Sequence, residues 1–226
     1  MTRVTFSRIS AGAAAIAAAL VSTAAILISG AVPSASAAEC PGVDVVFARG
    51  TGEPAGVGRV GQAFIDALQG LLPGRTVTGY AVDYPADYDF LNAASGAVAA
   101  ENHVRNMSAQ CPSTRIVLGG YSQGAAVMDM LVGIPPLGNK VGDIGSAAPL
   151  SSDLAGSIAA IAVFGNPSTK FSIPMTAAPA PYGGRAIDFC KDGDPICSRG
   201  RNPFAHSGYE TSEFIPQAAG FVANLV

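Results

Sequence analysis

Residues 120–124 place a serine between two glycines, at the junction of a predicted strand and a predicted helix. The aliphatic run 115–118 predicts a buried strand, and an apolar helix is predicted to follow as far as about Leu131. Small residues let the chain reverse sharply, so the hydroxyl of Ser122 is exposed at the carboxyl end of the strand. We therefore predict a nucleophile for acyl transfer, with the backbone N–H of Gln123 directed at the developing oxyanion. An ordinary glycine-rich turn with a solvated serine is the alternative.

A serine nucleophile needs a general base, and the sequence contains two histidines. In hydrolases with this turn the chain order is Ser, acid, His, so His206 fits and His103, which precedes the serine, does not. We expect His103 to be a surface or partly buried helix residue. Asp188, Asp192 and Asp194 are the candidate acids. Asp188 is predicted to lie within a strand. Asp194 is favoured over Asp192 because a disulfide loop would hold Asp194 still, where it can accept the proton of the His206 ring nitrogen that faces away from Ser122.

A second oxyanion donor is expected in a loop after an early strand, where segment 49–53 lies. Thr51 offers both a backbone N–H and a hydroxyl there; the alternative is a turn residue that caps a helix beginning near Val57. The same segment loosely matches the G-x-G-x-x-G/A pattern of dinucleotide-binding proteins. Against that interpretation, Pro54 interrupts the turn, and Asp83, the acid nearest the end of the next strand, lies too far along the chain.

The elements that must position these residues alternate along the chain. This alternation of strands and helices predicts an α/β fold, in which a parallel sheet is covered by helices on both faces. No proline- or serine-rich linker and no internal repeat is visible, so a single domain is expected over residues 39–226. The predicted strands are 43–48, 76–82, 115–118, 158–164 and 185–189; the predicted helices are 57–72, 92–110, the one after the serine, and 209–225.

Residues 1–38 have the order of a secretory signal peptide that is removed from the mature protein. Arg3 and Arg8 precede the apolar stretch 9–31, and residues 35–37 supply a small-x-small cleavage site. A single membrane anchor is the alternative. We therefore expect a secreted protein, extracellular or associated with the cell wall.

Composition excludes two broad classes. With 49% hydrophobic and 13% charged residues, the chain is too apolar for an intrinsically disordered protein. A net charge of −3 argues against nucleic acid as a partner.

Export would expose Cys40, Cys111, Cys190 and Cys197 to an oxidising compartment. Four cysteines permit three pairings. Cys190 and Cys197 are close enough to close a short loop, which leaves Cys40 with Cys111. Zinc binding is the alternative, but the sequence has no CxxC and two histidines, so no metal or cofactor is expected.

Three features together resemble the cutinase family, and most closely its secreted esterases from actinobacteria: residues 46–53, the serine turn with its glutamine, and Cys190-x-x-x-Asp194-x-x-Cys197 ahead of a histidine. The resemblance extends from Cys40 to the C-terminal helix. It implies a small three-layer α/β-hydrolase with a five-stranded parallel sheet and no lid domain. It also implies the same cysteine pairing, a Ser122, Asp194 and His206 triad, and an oxyanion hole of Thr51 and Gln123. Fungal members usually have serine where Thr51 stands.

The resemblance implies a serine carboxylic ester hydrolase that works through an acyl-enzyme. We expect short- to medium-chain acyl esters, cutin-type polyesters or lipids as substrates, and a monomer that contacts lipid surfaces transiently. Phospholipase or thioesterase activity on the same site is an alternative, as is a non-catalytic lipid- or wall-binding module, which a missing triad member would favour. Leu137, Leu150 and Phe204 lie in loops that could border the acyl site.

Overall fold

A computed structural model describes residues 39–138 and 144–226. The predicted signal peptide, residues 1–38, lies outside the described residues, and the boundary at residue 39 stays a prediction. In the described part of the chain, no helix is both long and apolar enough to cross a bilayer.

Five parallel strands form one sheet in the order β2-β1-β3-β4-β5. The chain runs outward from β1 to β2 and then returns to the other side of β1, so the winding direction reverses between β1 and β3. In open parallel sheets, ligands bind outside the carboxyl ends of the strands at such a reversal. The strands are β1 (Val43–Ala48), β2 (Val77–Ala81), β3 (Arg115–Tyr121), β4 (Ile158–Phe164) and β5 (Ala186–Phe189).

Four α-helices cover the sheet: α1 (Gly58–Leu71), α2 (Ala93–Gln110), α3 (Gln123–Leu131) and α4 (Phe214–Ala223). Helices α1 and α4 pack on one face and α2 and α3 on the other. Strand side chains alternate between the faces, so Phe47 contacts the α1 side whereas Val46 contacts the α2 side. The predicted three-layer α/β architecture is therefore present.

Two element boundaries differ from the predicted ones by more than two residues. Strand β3 continues through two glycines to Tyr121, because Gly119 and Gly120 pair with β1 and β4 at the sheet centre. The last helix begins at Phe214 rather than at Tyr209, which opens a short 3-10 turn instead. Tyr209 is fully buried, and its hydroxyl bonds to another segment, so tertiary contacts override the helical pattern there.

Two disulfides have the pairing that the sequence favours. Cys40 is joined to Cys111, which ties the segment before β1 to the end of α2. Cys190 is joined to Cys197, which closes the loop after β5.

His103 is a partly buried residue of α2, as expected, and it forms a polar contact in the core. Its Nε2 lies 2.7 Å from Oδ2 of Asp44, a buried carboxylate near the amino end of β1. Thr78 donates to the other carboxylate oxygen, and the imidazole stacks on the ring of Tyr80 with centroids 3.5 Å apart. The pair satisfies a carboxylate that would otherwise be buried with a single partner.

We predict that His103→Ala destabilises the fold by about 2 kcal/mol, because it leaves the buried Asp44 carboxylate short of a donor. Chemical denaturation measures the loss. The double variant His103→Ala/Asp44→Asn should lose less than the two single variants added together, since the amide carries no charge. Additive losses would contradict a coupled pair.

Candidate active site

The strand-to-helix turn at Ser122 is the first component of the site. Ser122 has φ = 56° and ψ = −117°, a conformation that non-glycine residues rarely adopt outside functional turns. The flanking glycines leave no room for side chains: a Cβ on Gly120 would lie 2.3 Å from the carbonyl oxygen of Gly124, and one on Gly124 would lie 1.9 Å from that of Ala48. Helix α3 therefore begins directly against β1, with the serine at the carboxyl edge of the sheet.

The structure brings the three predicted triad side chains together. His206 Nε2 lies 2.8 Å from Ser122 Oγ, and His206 Nδ1 lies 2.8 Å from Asp194 Oδ2. Ser122 directly follows β3, Asp194 lies in the disulfide loop after β5, and His206 ends a short 3-10 turn before α4. The predicted nucleophile, base and orienting acid are thus all within hydrogen-bond reach, which is the geometry that acyl transfer would require.

Asp194 is fully buried and accepts three hydrogen bonds. Besides the contact with His206, the backbone N–H of Ile196 donates to Oδ1 at 2.7 Å and the hydroxyl of Tyr209 donates to Oδ2 at 2.7 Å. Burial alone would raise the pKa of this carboxyl, but the hydrogen bonds from His206, Ile196 and Tyr209 outweigh it and lower the pKa below its ordinary value. Asp194 therefore stays ionised at neutral pH.

The other two candidate acids lie elsewhere. Asp192 is exposed to solvent. Asp188 lies in β5, where its Oδ2 accepts from Asn166, Thr169 and the backbone N–H of Met175.

Thr51 and Gln123, the two predicted oxyanion donors, adjoin Ser122. Gln123 is the first residue of α3, and Thr51 lies in the loop after β1. The Thr51 hydroxyl donates to the side-chain oxygen of Gln123 at 3.1 Å. The methyl group that threonine has and serine lacks therefore leaves the Thr51 hydroxyl able to donate. The Gln123 side chain holds this hydroxyl at the edge of the site.

Two charged residues that sequence reasoning left without a role shape the Thr51 loop. The Glu53 carboxylate accepts from the backbone N–H of Gly50 at 2.7 Å and from that of Arg59 at 3.0 Å. The buried Arg49 guanidinium donates to the carbonyl oxygens of Glu53 and Tyr84 at 3.0 and 2.6 Å. Charged residues directly after an apolar strand could have indicated this. Of the four backbone partners, only Tyr84 is distant in sequence.

Tyr121 was also missed as part of the site. Its ring stacks on the imidazole of His206 with centroids 5.2 Å apart, and its hydroxyl donates to the His206 carbonyl oxygen. Burial, together with the nearby Glu53 and Asp194 carboxylates, raises the pKa of Tyr121 above its ordinary value, so the hydroxyl remains a neutral donor.

A mostly apolar cavity of about 480 Å³ opens at the serine. Leu137 lines it, as the sequence suggested, but Leu150 packs into the core instead and Phe204 is exposed to solvent. The lining residues are Thr51, Tyr88, Phe90, Tyr121, Ser122, Gln123, Leu137, Ile144, Pro167, Ile196 and His206. Within residues 39–138 and 144–226, no group of three or more His, Cys, Asp or Glu side chains could hold a metal ion.

Beneath the cavity, a buried network joins α3, the segment after β4, and β5. The side-chain amide of Asn166 donates to both Asp129 Oδ1 and Asp188 Oδ2, each at 3.0 Å. Burial raises the pKa of Asp129 well above its ordinary value, and the neighbouring Asp188 carboxyl adds to the rise. Burial also raises the pKa of Asp188. The network fixes the segment that carries Pro167 against the helix that begins after Ser122.

We predict that the free energy of unfolding falls less between pH 5 and pH 8 in Asp129→Asn than in the wild type. A group whose pKa is raised by folding stabilises the protein fully below its unfolded pKa, and this contribution is lost as pH rises towards the folded pKa. The amide removes that proton uptake and still accepts from Asn166. Thermal unfolding at both pH values checks it, with exposed Asp192→Asn as the matched control. An unchanged pH dependence in Asp129→Asn would contradict the assignment.

Comparisons with known proteins show what this chain is similar to. A family model described as Cutinase matches residues 39–226. The chain is 45% identical to "Phospholipase Culp4" of Mycobacterium tuberculosis (strain ATCC 25618 / H37Rv), over 92% of this chain and 89% of the relative. It is 43% identical to "Probable carboxylesterase Culp3" of the same strain, over 84% of this chain and 71% of the relative. Among solved structures, the catalytic core domain of acetyl xylan esterase from Trichoderma reesei is similar, with a TM-score of 0.70 and 27% identity, covering 83% of this chain and 100% of that one.

Proposed function

The chain belongs to the cutinase family and is a carboxylic ester hydrolase, and we propose that it is a secreted serine esterase whose triad is Ser122, Asp194 and His206. The observation that carries this proposal is the unbroken chain of contacts from Asp194 through His206 to Ser122, with 2.8 Å at each step. It ends at the mouth of an apolar cavity, where an acyl group can bind.

In the proposed reaction, His206 Nε2 takes the proton of Ser122 as the serine oxygen attacks the ester carbonyl carbon. The backbone N–H groups of Gln123 and Thr51 hold the resulting oxyanion. His206 then gives its proton to the leaving alcohol oxygen, and an acyl-serine remains. Water repeats these steps, releases the carboxylic acid and regenerates the serine. Asp194 remains a carboxylate and stabilises the imidazolium.

The proposed substrates are esters with short- to medium-chain acyl groups. The cavity has room for such a chain, and its lining is largely aromatic and aliphatic. Large apolar side chains stand exposed beside it or in the adjoining segments: Tyr88 is 80% exposed, Phe204 is 82% exposed, and Phe90 and Ile196 are partly exposed. Such a rim suits transient contact with a lipid or polyester surface.

Secretion is supported by the N-terminal pattern of residues 1–38 together with the two disulfides, which form and persist in oxidising compartments.

The proposed nucleophile is tested with a serine-directed organophosphate and intact-mass measurement. We expect one adduct on the wild type, none on Ser122→Ala, and a loss of p-nitrophenyl butyrate hydrolysis of at least about 10⁴-fold in that variant. Ser152→Ala removes an exposed serine far along the chain and should keep both the adduct and the activity. An adduct on Ser122→Ala, or none on the folded wild type, would refute the proposed triad.

Phospholipid hydrolysis is a second candidate, favoured by the name of the 45% identical relative and by the exposed apolar rim. We expect the wild type to release fatty acid from phosphatidylcholine vesicles, and Phe204→Ser to slow this release severalfold while leaving hydrolysis of soluble p-nitrophenyl butyrate nearly unchanged. The reason is that exposed Phe204 contributes to surface contact and does not line the cavity. Equal losses on both substrates, or no release from vesicles, would remove this candidate.

A further inference from the structure

We infer, on the basis of the proposed triad, that Tyr209 is a positioning residue for ester hydrolysis. Its hydroxyl holds the Asp194 carboxylate in the orientation that contacts His206. Tyr209 lies three residues after His206 and opens the 3-10 turn Tyr209–Thr211. Its side chain is fully buried, and it does not line the cavity.

The direction of the Tyr209 hydrogen bond is fixed by its surroundings. The backbone N–H of Lys191 donates to the Tyr209 hydroxyl oxygen at 2.9 Å, so this oxygen is already an acceptor. The hydroxyl proton is therefore directed at Asp194 Oδ2, 2.7 Å away. His206 Nδ1 contacts the same carboxylate oxygen at 2.8 Å. Tyr209 and His206 thus converge on one oxygen, while Ile196 holds the other.

Packing alone does not account for a tyrosine at this position. The ring packs near Phe164 and Phe214, and a phenylalanine would fill the same space. A buried hydroxyl is costly unless it is hydrogen-bonded. Here the hydroxyl bridges a backbone N–H of the disulfide loop and the carboxylate of that loop, so it fixes how the carboxylate is rotated.

The charges around Tyr209 keep its hydroxyl protonated. Burial and the Asp194 carboxylate raise the pKa of Tyr209 above its ordinary value, although the Lys191 N–H acts in the opposite direction. The titratable groups that face it are Asp194 at its hydroxyl, His206 and Tyr121 beside its ring, and the Lys191 ammonium 5.6 Å from the ring centroid. Tyr209 therefore acts as a neutral donor throughout the pH range in which the triad works.

Removal of the hydroxyl changes the carboxylate in two ways. Asp194 Oδ2 loses one of its two donors, so the carboxylate is freer to rotate away from the imidazole. The Asp194 carboxylate also becomes a stronger base, which stabilises the protonated imidazolium form of His206. A higher pH is then needed to produce the neutral imidazole that catalysis requires. The first change lowers kcat and the second moves the acidic limb of the pH profile.

The test is the kinetics of Tyr209→Phe with p-nitrophenyl butyrate as substrate between pH 5 and pH 9. We expect kcat to fall about tenfold with KM little changed, because the hydroxyl contacts the acid and not the cavity. The acidic limb of kcat/KM should move to higher pH by about half a unit. Wild-type kcat and an unmoved acidic limb in a folded variant would overturn the inference.

Tyr121→Phe is the matched control. It removes another buried phenol hydroxyl beside His206, but the acceptor of that hydroxyl is the neutral His206 carbonyl oxygen. We expect a lower melting temperature and an acidic limb that stays in place. If Tyr121→Phe moves the limb as far as Tyr209→Phe does, the shift reflects general loosening and the inference fails.

A second variant covers the case in which Tyr209→Phe does not fold. Site-specific 3-fluorotyrosine at position 209 keeps the ring and the hydroxyl but makes the hydroxyl a stronger donor, so the acidic limb should move to lower pH. No movement would also overturn the inference. A separate sample of each protein is treated with the organophosphate. An unlabelled wild type refutes the proposed triad, whereas variants that are labelled in this sample and show wild-type kinetic profiles in the other refute the role of Tyr209 alone.

Discussion

The reversal of the chain at Ser122 is the constraint on which the rest of the site depends. A serine with a positive φ between a strand and a helix is unfavourable in isolation, and packing must enforce it. Two glycines make this possible, because α3 begins in direct contact with the backbone of β1. The same close approach sets Gln123 beside the loop after β1, so the turn at Ser122 also brings Thr51 close to it. The proposed nucleophile and the proposed oxyanion donors therefore share one structural origin.

Two of the buried carboxylates pair with a histidine, and their positions in the fold differ. Asp194 and Asp44 each pair with a histidine, at 2.8 and 2.7 Å, yet they lie at opposite edges of the sheet. At the carboxyl edge, the reversal between β1 and β3 supplies a serine and a cavity, so the pair can perform chemistry. At the amino edge, Asp44 and His103 meet Thr78 and Tyr80, and the pair stabilises the fold. The position of a histidine–aspartate pair in the topology decides its role.

The candidate site is held by supporting polar contacts. Arg49 and Glu53 hold the loop of Thr51 through backbone groups, and Tyr209 holds the Asp194 carboxylate. These charged and polar side chains are buried, where a missing partner is costly and a satisfied network is rigid. Rigidity is what a preorganised acyl-transfer site requires, since its donors must already point at the position where charge develops.

The sequence by itself determined the five strands, most helix boundaries, the cysteine pairing and the residues that meet at Ser122, because each depends on local spacing or chain order. It placed the start of the last helix wrongly, because the apolar pattern does not show that the buried Tyr209 hydroxyl bonds to Asp194. It left open which of Leu137, Leu150 and Phe204 borders the acyl site, and in the structure Leu150 packs into the core. The sequence favoured Asp194 over Asp192, but only the tertiary structure decided that Tyr121 and Tyr209 flank the proposed triad and that Asp129 shares Asn166 with Asp188. The physical reason is that these contacts join separate strands and loops, and a hydrogen bond between side chains distant in sequence leaves no periodic pattern along the chain.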